Sequence, residues 1–223
     1  MKKHFDIVRK CALFSDINDV DLNELLKCLN ATVKTYDKRD TILYEGDTVK
    51  HIGIVLSGCV QLERTDYEGN RSIVNKICPS EIYGEAFACA ESCKIPMDVI
   101  AAERSEIMLV DCNKVVNTCC NSCGFHNKMI YNLLKIVSTK NILLNQKADI
   151  TAKRTTRDKL MAFLMAQKKK YGKNSFVIPY DRQELADYLE VDRSGLSAEI
   201  SKLRKEGIIE SNRSQFKILK QEK

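Results

Sequence analysis

The stretch running from Asp181 to Ile209, DRQELADYLEVDRSGLSAEISKLRKEGII, constrains this chain more than any other. It spells two short helices, a tight turn and the start of a strand. Asp181 and Glu184 stand three apart, the spacing of a reciprocal capping box, so a first helix opens at Asp181. Leu185 and Leu189 recur at helical spacing, and Val191 closes the turn. Asp192 then caps a second helix that buries Leu196, Ile200 and Leu203 and stops at Gly207. A helix–turn–helix sets the N-terminal end of its second helix against base edges in the major groove. Here that end carries Arg193, Ser194 and Ser197: one guanidinium fork suited to guanine O6 and N7, and two hydroxyls for bases or phosphate. Ile208–Glu210 and Gln215–Leu219 are β-prone runs around the polar turn Ser211–Ser214, which reads as a wing. An αα-hairpin that only packs a core is the competing reading, and the wing weighs against it.

Charge separates this segment from the rest. Residues 151–223 carry 17 Lys and Arg against 10 Asp and Glu, a balance of +7; the formal total is +6, leaving −1 for residues 1–150. A basic C-terminal third on a near-neutral body suggests a nucleic-acid module joined to another domain. The run Lys168–Lys170 alone is a solvated helix end favoured by the helix dipole. With Arg182, Lys202, Arg204, Arg213 and Lys217 it makes a phosphate-facing surface. No segment is apolar for long enough to span a bilayer, and the start, MKKHFD, lacks an apolar signal core. A cytoplasmic location is expected, with most of the ten cysteines reduced.

Residues 5–30 read as helical, with Ile7, Val8, Cys11, Leu22, Leu25, Leu26 and Leu29 on apolar stripes. From Ala31 to Asp111 the period shortens. Thr41–Tyr44, His51–Leu56, Val60–Glu63 and Ser72–Asn75 are β-prone, punctuated by Glu45–Asp47, Ser57–Gly58, Glu68–Asn70 and Cys78–Ser80, as in a sandwich or barrel. A long helix follows from Phe125 to Ile150. Ile130, Leu134, Val137, Asn141, Leu144 and Ala148 alternate spacings of four and three, a coiled-coil seam in which Asn141 would fix register. Met129, Leu133, Ile136 and Leu143 form a second stripe, expected to face the β-domain. The alternative is one broad amphipathic helix on a monomer's core. Residues 151–156 make a hinge, and a further helix from Arg157 to Lys170 leads into the basic module. The expected division is 1–124, a sensor β-domain with leading helices; 125–150, a dimerisation helix; and 151–223, a winged helix–turn–helix.

This order of parts resembles the Crp/Fnr family of bacterial transcription regulators. In the β-domain the resemblance rests on Val55–Leu62, the Glu68-Gly-Asn turn and Ile82-Tyr-Gly-Glu85; in the basic module, on Arg182-Gln-Glu-Leu-Ala and Asp192-Arg-Ser. It implies an α+β chain with an N-terminal β-roll of jelly-roll type, a long dimer helix and a C-terminal winged helix–turn–helix. It also implies double-stranded DNA with a pseudo-palindromic operator, a second copy of the chain and RNA polymerase as partners. Either activation or repression is compatible with it.

The resemblance implies no specific effector. Members that bind cyclic AMP hold it with a Gly-Glu pair and, eleven residues beyond the Gly, an Arg-Ser pair. A cyclic phosphate needs a charge-assisted donor such as guanidinium. Gly84 and Glu85 are present, but Ile95 and Pro96 stand at the Arg-Ser positions, and Lys140 and Asn141 replace a Thr-Ser pair on the dimer helix. A bound phosphate would then be buried unpaired, which disfavours cyclic AMP; Gly84-Glu85 reads equally as a scaffold turn. Cluster-binding members use closely spaced N-terminal cysteines, whereas only Cys11 and Cys28 precede the roll here. Cys119, Cys120 and Cys123, with His126 nearby, are soft ligands at a spacing that would suit a metal or a thiol switch. Ordinary core packing is the competing reading. His51, in an apolar strand, reads as structural.

The reader also departs from the family. Ser194 and Ala198 stand where better-known members carry an acidic residue and an arginine, so the operator is not transferable; Glu199 and Lys202 are either contacts or solvated. The leading expectation is a DNA-binding regulator gated by an effector between roll and dimer helix. A metal- or redox-gated regulator of the same fold and a ligand-binding subunit without DNA binding are the alternatives. An enzyme is not expected: no phosphate-cradling glycine loop, zincin motif or nucleophile elbow occurs, and His4, His51 and His126 are dispersed.

Overall fold

The computed structural model describes residues 4–90, 93–117 and 124–219. It divides into two compact units, Met1–Gly69 with Val74–Asn141, and Asn70–Ile73 with Ile142–Lys223. No helix among the described residues is long and apolar enough to cross a membrane.

The first unit opens with α1 (Phe5–Lys10), a 3₁₀ turn at Ala12–Phe14 and α2 (Asp19–Cys28). The helix expected over 5–30 is therefore broken. Asp16 takes a left-handed backbone, with φ +63°, and the Asn18 side chain accepts from the Asp21 amide to start α2 afresh. Eight strands follow: β1 (Thr32–Tyr36), β2 (Thr41–Leu43), β3 (His51–Ser57), β4 (Val60–Thr65), β5 (Arg71–Ile77), β6 (Ile82–Tyr83), β7 (Asp98–Ala101) and β8 (Ser105–Asp111). They form two four-stranded sheets, ordered β1-β8-β3-β6 and β2-β7-β4-β5. Sequential strands switch sheets at every step except β4 to β5, which are neighbours in one sheet, the layout of a roll. β3 is buried along Ile52–Leu56, as expected of a strand covered on both faces. Two short helices, α3 (Glu85–Cys89) and α4 (Cys112–Val116), close one end.

Glycine is required twice at this end. A Cβ on Gly53 would stand 2.2 Å from the Tyr83 ring, which crosses that point of β3. Gly84, at φ +82°, turns the chain from β6 into α3, and a Cβ there would meet the His51 carbonyl at 3.2 Å. His51 itself lies exposed at the start of β3, not within the apolar core.

The helix α5 (Gly124–Thr151) is continuous over 28 residues. Its first half is fixed by burial of Met129 and Leu133 and by Asn132, whose Nδ2 donates to the carbonyls of Leu13 and Ser15 at 3.2 and 2.9 Å. The stripe expected against the β-domain therefore holds at Met129 and Leu133, with Ile136 half-buried, and fails at Leu143, which is 52 % exposed. Leu143 lies beyond Asn141, where the part of α5 that clusters with the roll ends.

In the second unit come α6 (Thr156–Tyr171), β9 (Ser175–Val177), α7 (Arg182–Leu189), α8 (Arg193–Lys205), β10 (Ile209–Asn212) and β11 (Gln215–Ile218). Leu160, Phe163, Leu164, Leu185, Leu189, Leu196, Ile200, Leu203 and Phe216 make its core. The chain is α+β: a β-roll, a long helix and a winged helix–turn–helix.

Candidate nucleic-acid interface and effector pocket

The reader is built by side-chain caps. Asp181 Oδ1 accepts from the Glu184 amide and Glu184 Oε2 from the Asp181 amide, both at 2.8 Å, as their spacing predicts. Glu190 turns the chain at φ +54°, and Asp192 accepts from the Gly195 amide at 2.8 Å and from the Ser194 hydroxyl. Those two hydrogen bonds, Ser194 first, hold the Asp192 carboxyl below its ordinary range. Gly207, at φ +69°, stops α8, and the Ile208 amide returns to the Leu203 carbonyl at 3.0 Å. The wing is a three-stranded sheet, β10-β11-β9, and Asn212 pairs with Gln215 across the two-residue turn Arg213-Ser214. β9 was not legible in the sequence: Ser-Phe-Val is too short a run to show alternation.

With Leu196, Ile200 and Leu203 facing the core, α8 leaves Arg193, Ser194 and Lys202 exposed and Ser197 half-buried. Arg213 and Lys217 are exposed on the wing; Lys217 Nζ lies 3.2 Å from Glu210 Oε2 across the ladder. Two expected DNA contacts are held by the domain itself. Gln183 Nε2 donates to Asp187 at 2.7 Å, and the half-buried Arg182 guanidinium lies over the Phe216 ring, 5.6 Å from its centre. Glu199 bonds Arg157 at 3.2 Å, and Arg157 also clamps Glu206 at 2.6 Å, tying the flank of α8 to α6. Arg157 was not anticipated; the sequence gives no sign that a residue 42 positions away would bind Glu199.

Among the effector candidates, Glu85 and Lys140 meet. Lys140 Nζ donates to Glu85 Oε1 at 2.8 Å and to the Ile82 carbonyl at 2.6 Å, so one ammonium bridges β6 and α3 to α5. The Glu85 side chain is 5 % exposed and that of Lys140 26 %. Glu85 Oε2 is buried with no hydrogen-bond partner among the described residues. Ile95 is packed into the roll core, exchanging backbone bonds with Gly46 and Asp47, while Pro96 is exposed. Neither supplies a donor for phosphate. Asn141 is exposed, beside Lys140 in sequence. Elsewhere in the roll a cavity of about 220 Å³ is bordered by Lys34, Tyr36, Leu43, Val49, His51 and Tyr83.

On the expected seam, Leu134 is 62 % and Leu144 51 % exposed, Asn141 and Ala148 are exposed, and Ile130 and Val137 are half-buried. Cys119, Cys120 and Cys123 lie outside the described residues. His126 is buried at the start of α5, its ring 5.5 Å from that of Phe125. No group of three or more His, Cys, Asp or Glu able to hold a metal occurs among the described residues.

Comparison with known proteins agrees with both halves. Residues 33–120 match the cyclic nucleotide-binding domain and residues 158–223 the Crp-like helix-turn-helix domain, together more than half of the chain. The transcriptional activator protein FnrL of Cereibacter sphaeroides is 22 % identical over 196 residues, 79 % of this chain and 71 % of that protein. Among solved structures, FixK2 of Bradyrhizobium japonicum superposes with a TM-score of 0.65 at 18 % identity, covering 85 % of this chain and 93 % of its own. The c-di-GMP responsive global regulator CLP of Xanthomonas campestris gives 0.70 at 16 % identity, covering 91 % and 100 %. Members of this group bind DNA and are typically dimeric. The chain belongs to the Crp/Fnr family: it is a DNA-binding transcription regulator with a cyclic-nucleotide-binding-type domain, and not an enzyme.

Proposed function

We propose that the chain acts as a homodimer that reads a pseudo-palindromic operator through α8 and changes its DNA affinity when an effector other than cyclic AMP engages the Glu85–Lys140 site. The observation that carries the effector reading is the ion pair itself. Where a cyclic phosphate would need a cation facing it, the Lys140 ammonium is already committed to Glu85 and to the Ile82 carbonyl. An effector entering there must either release Lys140 or bond the remaining Glu85 oxygen through a hydroxyl or amino donor. It gates DNA binding only if it favours one of two states of the dimer. For the reader, Arg193 is the base-contacting residue, with Ser194 and Ser197 beside it. Lys202, Arg213 and Lys217 are the phosphate contacts, and Arg182 and Gln183 border them. RNA polymerase is the proposed protein partner once the operator is bound.

The test is a gel shift on the chain's own upstream DNA, comparing wild type with Arg193→Ala, followed by a small-molecule screen for altered retardation. Specific retardation lost in Arg193→Ala supports the reading. Binding with the same preference in both proteins contradicts it.

A further inference from the structure

The roll contains a thiol pair that neither the DNA reader nor the Glu85–Lys140 site uses. Cys89, the last residue of α3, and Cys112, the first of α4, have their sulfurs 3.4 Å apart. Cys89 is exposed and Cys112 is buried, so one sulfur is open to solvent while its neighbour is sheltered behind it. We propose that Cys89 and Cys112 form a dithiol–disulfide site in the roll, oxidised by hydroperoxides and restored by thiol reductants.

Three features assign the roles. Cys89 is the member that a peroxide can reach, so it attacks first. The hydrogen bond from Cys112 lowers the Cys89 thiol to about 7, outweighing burial and the nearby Glu85 charge, so a large share is thiolate at neutral pH. Cys112 goes the other way, since it donates to that thiolate, and keeps its proton until the first step is done. Cys11 and Cys59, both buried, are the less reactive thiols. Burial pushes Cys11 up to about 11; Cys59 is raised first by its hydrogen bond with Cys78 and then by burial, and its sulfur lies 3.3 Å from the Ile77 carbonyl.

The step balances without a metal. The Cys89 thiolate attacks the outer oxygen of a hydroperoxide, the O–O bond breaks, and the departing oxygen leaves as alcohol, or as water from hydrogen peroxide, after taking up a proton. Cys89 is left as a sulfenic acid. Cys112 gives up its proton and attacks the Cys89 sulfur; the S–S bond forms, the S–O bond breaks, and water leaves. The two thiols lose two electrons and the peroxide gains them. Because α3 carries Glu85 one helical turn before Cys89, closing the bridge bears on the helix that anchors Lys140. The site itself rests on the sulfur geometry and not on the reading of DNA binding.

The test uses the full-length protein, reduced, freed of reductant without air, and titrated with hydrogen peroxide at pH 7 before alkylation and peptide mapping. The expected result is loss of the mass of two hydrogens and a link between the Cys89 and Cys112 peptides, reversed by dithiothreitol. Cys89 should react roughly tenfold faster than the exposed Cys93, which has no cysteine sulfur beside it among the described residues, because the Cys112 hydrogen bond favours the Cys89 thiolate. In Cys112→Ser, or in Cys112→Ala should the serine disturb the core, dimedone should trap a sulfenic acid on Cys89. The proposal is overturned if Cys89 and Cys112 stay open to alkylation while Cys28, Cys93, Cys119, Cys120 or Cys123 is oxidised. Bridging of Cys89 to any cysteine other than Cys112 overturns it equally.

Discussion

Lys140 places its ammonium 2.8 Å from the Glu85 carboxylate across 55 residues of sequence, so the long helix is tied to β6 and α3 of the roll by a half-sheltered ion pair. Removing one partner of such a pair leaves the other charge buried and uncompensated. Lys140→Met should therefore destabilise the first unit by about 2–3 kcal/mol, below the usual range for a buried pair because the ammonium is partly solvated. Glu85→Gln, which keeps an acceptor for Lys140, should cost less. Urea unfolding followed by probes in each unit checks both, and a Lys140→Met protein as stable as wild type contradicts the pairing.

The exposed seam on α5 predicts a dimer. Leu134 is too exposed for a residue with only its own roll to pack on, and burying large apolar side chains contributes roughly 1.5–3 kcal/mol each. Leu134→Glu combined with Val137→Glu should sediment as a monomer in analytical ultracentrifugation, where wild type sediments as a dimer.

Cyclic AMP should not act on this chain. Ile95 and Pro96 offer no donor to a phosphate, and Lys140 is held by Glu85 and Ile82. Calorimetry should detect no binding at micromolar cyclic AMP, and operator affinity should not change on its addition.

Much of this architecture was legible because its signals are local. Asp181 and Glu184, Asp192 and Gly195, and Gly207 are each within a few residues of what they cap or stop, so the reader helices followed from spacing alone. The roll was less legible. β1 exposes four of its five residues and shows no apolar alternation, and the break at Asp16–Asn18 is set by backbone conformation and a cap within an otherwise helical pattern. The Glu85–Lys140 bond and the Cys89–Cys112 contact arise from tertiary packing of separate helices, on which spacing is silent. The same holds for Gln183 and Arg182, whose side chains the domain itself engages through Asp187 and Phe216.

Acid should loosen the reader only once the pH has fallen below the ordinary carboxylate range of the unfolded chain. The folded Asp192 carboxyl lies below its ordinary value of 3.8, so its contribution is present above that value and is lost as pH falls through the lower, folded one. Asp192→Asn keeps the cap acceptor and removes the titration. Thermal midpoints of the second unit should therefore fall less steeply below pH 3.8 in Asp192→Asn than in wild type. Parallel curves contradict the assignment.

Arg193, the exposed first residue of the capped helix α8, is the residue proposed to read a base. The most direct measurement is competition binding against a randomised operator library with wild type, Arg193→Ala and Lys217→Ala. Wild type should select a pseudo-palindrome with half-sites about one helical turn apart. A bidentate arginine–guanine contact carries roughly 1–3 kcal/mol of discrimination, so Arg193→Ala should lose preference at one position in each half-site. Lys217→Ala should instead weaken all sequences alike and lower the salt slope by about one unit. If Arg193→Ala selects the same motif as wild type with the same discrimination, Arg193 is not the residue in the groove and the account of the reader is wrong.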